Sequence, residues 1–277
     1  MSGSIGGSRI PRSSVQGTLD QYKRSVLAGF QGFKTAKISG SYNAGVKKDH
    51  GDIDLIVYVD GGEKDLKTVK KEFKSYLESL PDSITLPFPS GRNKGKKAQL
   101  YGNIVTCLVS MDGFEGLGVQ VDNIIVLSEQ DQEYQKSFLD LAAEKQALIQ
   151  GLARVILTIE NPEKVFTRMG ISLKKLPTLG KNQEYEFALG PTTLALRKIT
   201  YGQDYKEQNR EVVWQSRDWQ DVVKLLKGFD LSQDYDHLLG QVAEKVTDAR
   251  SRSRIVGVMK SMINVGVGEK GTPKGDN

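Results

Sequence analysis

Two aspartates interrupt an apolar pattern at the point where a strand should begin. Residues 51–59 read GDIDLIVYV, and Asp52 and Asp54 alternate there with apolar residues. Because successive side chains of a strand point to opposite faces, both carboxylates share one face and the apolar side chains enter the core. Carboxylates one pleat apart repel each other, and a hard divalent cation relieves that repulsion. The pattern predicts a metal site.

A third carboxylate is expected from another strand, because two metal ions that clamp a phosphoryl transfer need further oxygen ligands. Asp122 in GVQVDNIIVL is the candidate, since an unpaired charge inside an apolar strand is costly. Asp112 competes with it, but MDGFEG is typical of a turn, where a solvated aspartate needs no special role.

A glycine-serine pair precedes the aspartates and could contact an anion. Gly40 permits a backbone conformation that brings N–H groups close to phosphate oxygens, and Ser41 adds a hydroxyl donor. Lys47 and Lys48 follow in the same loop and could face the same anion. These four residues are the predicted nucleotide-binding set.

The combined spacing resembles a known family. The segment that begins with ISGS and continues, after ten further residues, with DIDL resembles the signature of the polymerase-beta-like nucleotidyltransferase superfamily. The later segment VDNI resembles the strand that carries the third carboxylate in that family. The resemblance covers about residues 14–127. It implies a small mixed sheet flanked by helices, and transfer of a nucleoside monophosphate from an NTP, most simply ATP, to a hydroxyl with release of pyrophosphate.

The resemblance also implies roles for individual residues. Gly40 and Ser41 would hold the triphosphate, and Asp52 and Asp54 would bind two Mg²⁺ or Mn²⁺ ions. Asp122 would bind the catalytic metal and help to deprotonate the acceptor hydroxyl. A catalytically inactive module on the same fold, which senses a nucleotide or serves a structural role, is the alternative from another functional class.

The acceptor is predicted from charge. The chain has 39 Lys and Arg against 34 Asp and Glu, a net charge of +5, which permits a nucleic-acid partner. Arg92, Lys94, Lys96 and Lys97 crowd one loop, either as a solvated connector or as contacts to a nucleic-acid backbone. An RNA end is therefore the favoured acceptor, with a small molecule, a second nucleotide or a protein as alternatives.

The order of elements predicts an α/β (α+β) fold with two domains. We expect a flexible leader at 1–12, a nucleotidyltransferase-like domain at 13–128, a mainly helical domain at 129–265 and a disordered tail at 266–277. One long helix should start near 129 and end before Pro162, and further helices are expected near 209–228, 234–246 and 248–264. Residues 183–201 should form a β-hairpin, for which the sequence suggests no role.

Composition excludes several alternatives. Cys107 is the only cysteine, so internal disulfides and thiolate metal clusters are impossible. Two histidines make a zinc site or a serine hydrolase hard to build. The sequence contains no apolar run long enough to predict a membrane span. A reducing cytoplasmic location is expected. The sequence indicates no oligomeric state.

Overall fold

The computed structural model describes residues 7–43, 48–91, 93–110, 118–203 and 206–267 of the 277-residue chain. Side chains are described for these residues except Ser41 and 262–267. The chain divides into two compact units, Met1–Asp140 and Leu141–Asn277. The predicted α+β class is confirmed, because helices and strands mix in both units.

The described part of the first unit contains eight strands and three helices. In chain order they are β1 (Ile10–Pro11), α1 (Arg12–Ser25), β2 (Phe33–Ser39), β3 (Asp49–His50), β4 (Asp52–Val59), α2 (Leu66–Ser79), β5 (Thr85–Leu86), β6 (Ala98–Tyr101), β7 (Ile104–Val109), β8 (Val119–Val126) and α3 (Glu129–Leu139). Short β1 pairs with β3, and the other six strands form one mixed sheet.

The strand order of that sheet is β2-β4-β8-β7-β5, with β6 added to β7. Only the central pair, β4 and β8, runs parallel, and the other pairings are antiparallel. A parallel connection needs a crossover, which the chain between β4 and β8 provides by way of α2, β5, β6 and β7. The two strands that carry the aspartates therefore lie side by side at the centre of the sheet.

Different elements pack on the two faces of the sheet. One face carries Ile53 and Leu55, which belong to the main core with Leu19 of α1 and Phe73 of α2. The other face carries a small cluster of Ile56, Ile124 and Val126, against which Leu139 at the end of α3 packs. Asp52 and Asp54 are on this second face because they alternate with the core residues, as the sequence predicted.

The second unit combines helices with a three-stranded antiparallel sheet of order β11-β10-β9. Its elements are α4 (Ala143–Ile159), α5 (Pro162–Arg168), β9 (Gln183–Leu189), β10 (Leu194–Tyr201), β11 (Glu207–Ser216), α6 (Trp219–Leu225), α7 (Tyr235–Lys245) and α8 (Ala249–Val267). Strands β9 and β10 form the hairpin expected at 183–201.

Two expectations about elements are wrong. The helix expected near 209–228 is strand β11 up to Ser216 and helix α6 only from Trp219, because β11 pairs along the hairpin edge. The long helix after 129 is interrupted between Leu139 and Ala143. Helix α3 packs on the sheet of the first unit, which ends at Asp140; the predicted boundary lies at 128/129.

The structure describes part of the predicted leader and the first residues of the predicted tail. Within the predicted leader, Ile10 is fully buried and pairs with His50, and Arg12 starts α1. Helix α8 runs to Val267, so it includes the first two residues of the predicted tail. Residues 1–6 and 268–277 lie outside the described residues. None of the helices in the described ranges combines the length and apolar character needed to cross a bilayer.

Candidate active site

The central strand pair aligns Asp54 with Asp122. These residues are register partners in the parallel pairing of β4 and β8, and Asp52 is aligned with Gln120 one step earlier. Paired positions on neighbouring strands share a face of the sheet. The backbone therefore brings together the three carboxylates that the sequence selected from two separate segments.

The same register extends a polar row across four strands. Ser39 on β2 pairs with Asp54, and Thr106 on β7 pairs with Asp122. The row Ser39, Asp54, Asp122 and Thr106 lies one pleat beyond the apolar residues that Leu139 of α3 covers. Polar side chains thus begin where the apolar cluster on this face ends.

Asp122 is buried and already hydrogen-bonded. Thr106 Oγ1 donates to its Oδ1 at 2.8 Å, and Gln120 Nε2 donates to Oδ1 at 3.0 Å and Oδ2 at 3.2 Å. Burial raises the pKa of Asp122 above its ordinary value, although these hydrogen bonds to Thr106 and Gln120 oppose the rise. A carboxylate held in this state gains more than an exposed one from a nearby cation.

Gln120 contributes a second unusual group. Its side chain is 4% exposed, and its carbonyl Oε1 is buried without a hydrogen-bond partner among the described residues. A buried acceptor without a partner is costly, and amide oxygens are ligands that magnesium and calcium accept. Gln120, which carries this acceptor, donates a hydrogen bond from its amide nitrogen to Asp122. Its backbone position pairs with that of Asp52. Gln120 thus adds an uncharged oxygen beside the carboxylates at this end of the central strands.

The side chains do not yet form a closed metal site. Within the part of the chain that the structure describes, no group of three Asp, Glu, His or Cys side chains is arranged to hold an ion. The Asp122 oxygens instead accept from Thr106 and Gln120. The backbone pairing of β4 with β8 places the carboxylates on one face of the sheet.

Gly40 lies directly against the Asp54 carboxylate. Its φ is +73°, in the left-handed region that glycine adopts without strain, and a Cβ built there would lie 2.4 Å from Asp54 Oδ2. The positive φ and the closeness of the Asp54 carboxylate both exclude a residue with a side chain at this position. The glycine predicted to approach a phosphate thus follows the end of β2 and borders the carboxylates.

Arg9 is a charged neighbour that sequence reasoning missed. Its guanidinium donates to the Asp49 carboxylate, and that hydrogen bond, with a smaller electrostatic contribution from Asp52, raises the pKa of Arg9. A cation beside Asp52 partly offsets the carboxylate charge at the edge of the site. The sequence held no signal for it, because the pairing of β1 with β3 brings the two segments together.

The predicted basic residues have different environments. Lys48 is exposed, and Lys94 and Lys96 project from a loop that Phe88 fixes through backbone hydrogen bonds to Gly95 and Lys96. Lys97 is instead tied down, because it donates to the carbonyl of Leu80 after α2 and pairs with Asp82 at 2.6 Å. Lys97 is therefore a structural contact rather than an open phosphate ligand, unlike its two neighbours.

Four of the predicted positions cannot be placed. Lys47, Arg92, the competing Asp112 and the side chain of Ser41 lie outside the described residues. Comparison with models of protein families and with curated proteins finds no match to this chain. The interpretation of the site therefore rests on its own geometry and on the motif spacing.

Proposed function

We propose that the chain is a magnesium-dependent nucleotidyltransferase of the polymerase-beta-like type, with its catalytic residues on β4 and β8. The observation that carries this proposal is the pairing of Asp54 with Asp122, with Gly40 packed against Asp54. The two aspartate-bearing segments that the motif selects are thus neighbouring strands, and their pairing supports the proposal. Such an arrangement is suited to positioning and charge neutralisation, on which phosphoryl transfer mainly depends.

In the proposed reaction an acceptor hydroxyl oxygen attacks the α-phosphorus of an NTP. A new oxygen–phosphorus bond forms, the bond from the α-phosphorus to the bridging oxygen breaks, and pyrophosphate leaves. The hydroxyl proton passes to Asp122, a carboxylate whose pKa burial raises above its ordinary value. Thr106 and Gln120 hold that carboxylate in a fixed orientation.

Asp52, Asp54 and Asp122 would hold Mg²⁺ or Mn²⁺, which when bound would neutralise phosphate charge and polarise the transferred group. The φ of +73° at Gly40 would let its backbone N–H face a phosphate beside Asp54, and Lys48 adds positive charge nearby in sequence. ATP is the simplest donor.

An RNA end is the favoured acceptor. Lys94 and Lys96 are exposed on the fixed loop, and the net charge of +5 favours a polyanion. A small molecule, a second nucleotide or a protein hydroxyl would use the same chemistry. The lone cysteine requires no oxidising compartment, and we place the activity in the cytoplasm.

A catalytically inactive nucleotide-binding module is the second candidate. One observation favours it: the Asp122 carboxylate is already satisfied by Thr106 and Gln120. If those hydrogen bonds persist when nucleotide binds, the third carboxylate is not available to an acceptor hydroxyl. The module would then bind a nucleotide without turnover.

Product formation distinguishes the two candidates. The protein is incubated with each α-labelled NTP, Mg²⁺ or Mn²⁺ and RNA, and both labelled product and pyrophosphate are measured. The proposal predicts equal amounts of both, and their loss in Asp54→Asn but not in Glu63→Gln, an exposed acidic control. Nucleotide binding without turnover, with RNA and with small acceptors alike, would contradict catalysis and favour the module.

A further inference from the structure

A cavity lined by polar and charged residues lies wholly within the second unit. Its volume is about 410 Å³, within the range of about 300–1,000 Å³ typical of small-ligand sites. It is lined by Asn182, Gln183, Glu184, Tyr201, Arg250 and Arg254. These residues come from the start of β9, the end of β10 and the first turns of α8. No residue of the proposed catalytic site belongs to this unit.

Two arginines of α8 line one wall of the cavity. Arg250 and Arg254 are four residues apart, so their side chains share a face of the helix. Arg254 lies 3.4 Å from Glu184 and 3.7 Å from Glu186, whereas the exposed Arg250 lines the cavity nearer the start of α8. Arginine side chains so placed suit a phosphate, which accepts several hydrogen bonds from a planar guanidinium.

Further arginines lie near Glu186. Arg197 pairs across the sheet with Glu186, and Arg154 and Arg210 act electrostatically on the same carboxylate. The Nε of Arg197 is buried without a hydrogen-bond partner among the described residues. Burial, with Arg210 and Arg154 as neighbours, lowers the pKa of Arg197, as expected where positive charges are incompletely balanced.

The cavity lining also includes an acceptor, Glu184, and an aromatic ring, Tyr201. Tyr201 donates its hydroxyl to Glu184 Oε1 at 2.5 Å, so ring and carboxylate adjoin at the cavity. Glu184 can accept from hydroxyl or amino groups, the Tyr201 ring offers an apolar surface, and the Asn182 and Gln183 amides can both donate and accept. A simple anion such as phosphate would use only the arginines.

We propose that this cavity binds a nucleoside phosphate. Arg250 and Arg254 hold the phosphate, and Glu184 accepts hydrogen bonds from ribose hydroxyls or a base amino group beside Tyr201. The ligand is either a free nucleotide or a 5′-phosphorylated RNA end. This site is separate from the proposed catalytic residues and does not depend on their activity.

Binding is measured by calorimetry on the full-length protein in EDTA, which removes any metal-dependent binding at the aspartates. The probes are AMP, ATP, inorganic phosphate and a 5′-phosphorylated hexaribonucleotide. We expect AMP to bind more tightly than inorganic phosphate. Arg250→Gln should weaken AMP binding at least tenfold, whereas Lys260→Gln, an exposed change of equal charge on the same helix, should leave it unchanged. A hexanucleotide that binds more tightly than AMP identifies the RNA end as the ligand, and the reverse order identifies the free nucleotide.

Two further variants separate binding from folding. Tyr201→Phe keeps the ring but removes the hydroxyl that orients Glu184, and Arg254→Lys keeps the charge but removes the planar guanidinium. Both should weaken AMP binding while thermal unfolding remains cooperative. Asp54→Asn should bind AMP in EDTA like the wild type, which distinguishes this site from the catalytic one. Absence of binding by every nucleotide probe, or equal AMP affinity in Arg250→Gln and wild type, would overturn the proposal.

Discussion

Asp54 and Asp122 occupy paired positions on two parallel strands at the centre of the sheet, although 67 residues lie between them in the sequence. The pairing depends on a crossover through α2 and three strands. Any disturbance of that register by one residue would move one carboxylate to the opposite face. The chemistry proposed for this chain therefore depends on the β4–β8 register.

The buried state of Asp122 predicts a pH-dependent stability difference. Because the folded-state pKa of Asp122 is raised, ionisation destabilises the folded protein as pH rises from near the unfolded pKa of 3.8 through the higher folded pKa. In EDTA, the unfolding free energy of Asp122→Asn relative to wild type should therefore increase from acid to neutral pH. Urea unfolding of both proteins across pH measures it. A difference that stays constant with pH would contradict the raised pKa.

Gly40→Ala should reduce both stability and activity. The alanine would meet Asp54 Oδ2 at 2.4 Å in addition to the strain of a positive φ, which alone costs about 1–3 kcal/mol. Gly170→Ala is the matched control, because Gly170 has φ +66° with nothing within 4 Å of an added Cβ. Thermal unfolding should show a larger loss for Gly40→Ala, and only this variant should lose nucleotidyl transfer. Equal losses in both variants would mean that contact with Asp54 is unimportant.

Thr106 is expected to act as a positioning residue. Thr106→Val removes the hydrogen bond to Asp122 Oδ1, which opposes the burial-induced rise in the pKa of that carboxylate. We expect activity to fall by about 10–100-fold and the acid limb of the kcat/KM profile to move to higher pH. Thr106→Ser should restore both. A lower rate with an unshifted profile would indicate a packing effect alone.

Variants of Lys94, Lys96 and Lys97 should distinguish an effect on RNA binding from an effect on protein stability. Lys94→Gln and Lys96→Gln should each reduce the slope of log binding constant against log salt for single-stranded RNA, by roughly 0.7. Lys97→Gln should instead lower the melting temperature, because Lys97 holds Leu80 and Asp82. Salt titrations and thermal unfolding of the three variants measure both effects. An identical salt slope in wild type and the first two variants would exclude this loop from RNA binding.

Local patterns were sufficient to predict which face of the sheet carries Asp52 and Asp54. Alternation with apolar residues fixed the face of Asp52 and Asp54, and the same rule applied to VQVDN would have placed Gln120 on the face of Asp122. Gln120 was thus missed although a signal existed. Thr106 had none, because its contact with Asp122 depends on the register of β7 with β8.

The errors have a common physical origin in pairing across the chain. Strand β11 was predicted as a helix because its own residues do not show that it borders the 183–201 hairpin. The loop basic residues were treated as one group, since sequence does not show that Lys97 contacts Leu80. Local patterns do not assemble the cavity lined by Arg250 and Arg254, because β9, β10 and α8 each supply only part of it.

Divalent cation binding tests the central claim most directly. Mn²⁺ is titrated into the protein with a non-hydrolysable ATP analogue, and free Mn²⁺ is followed by electron paramagnetic resonance. We predict saturable binding by the wild type and by Glu63→Gln, with affinity at least tenfold weaker in Asp54→Asn and in Asp122→Asn. Equal Mn²⁺ affinity in all four proteins would contradict the claim that these paired aspartates share the metal ions.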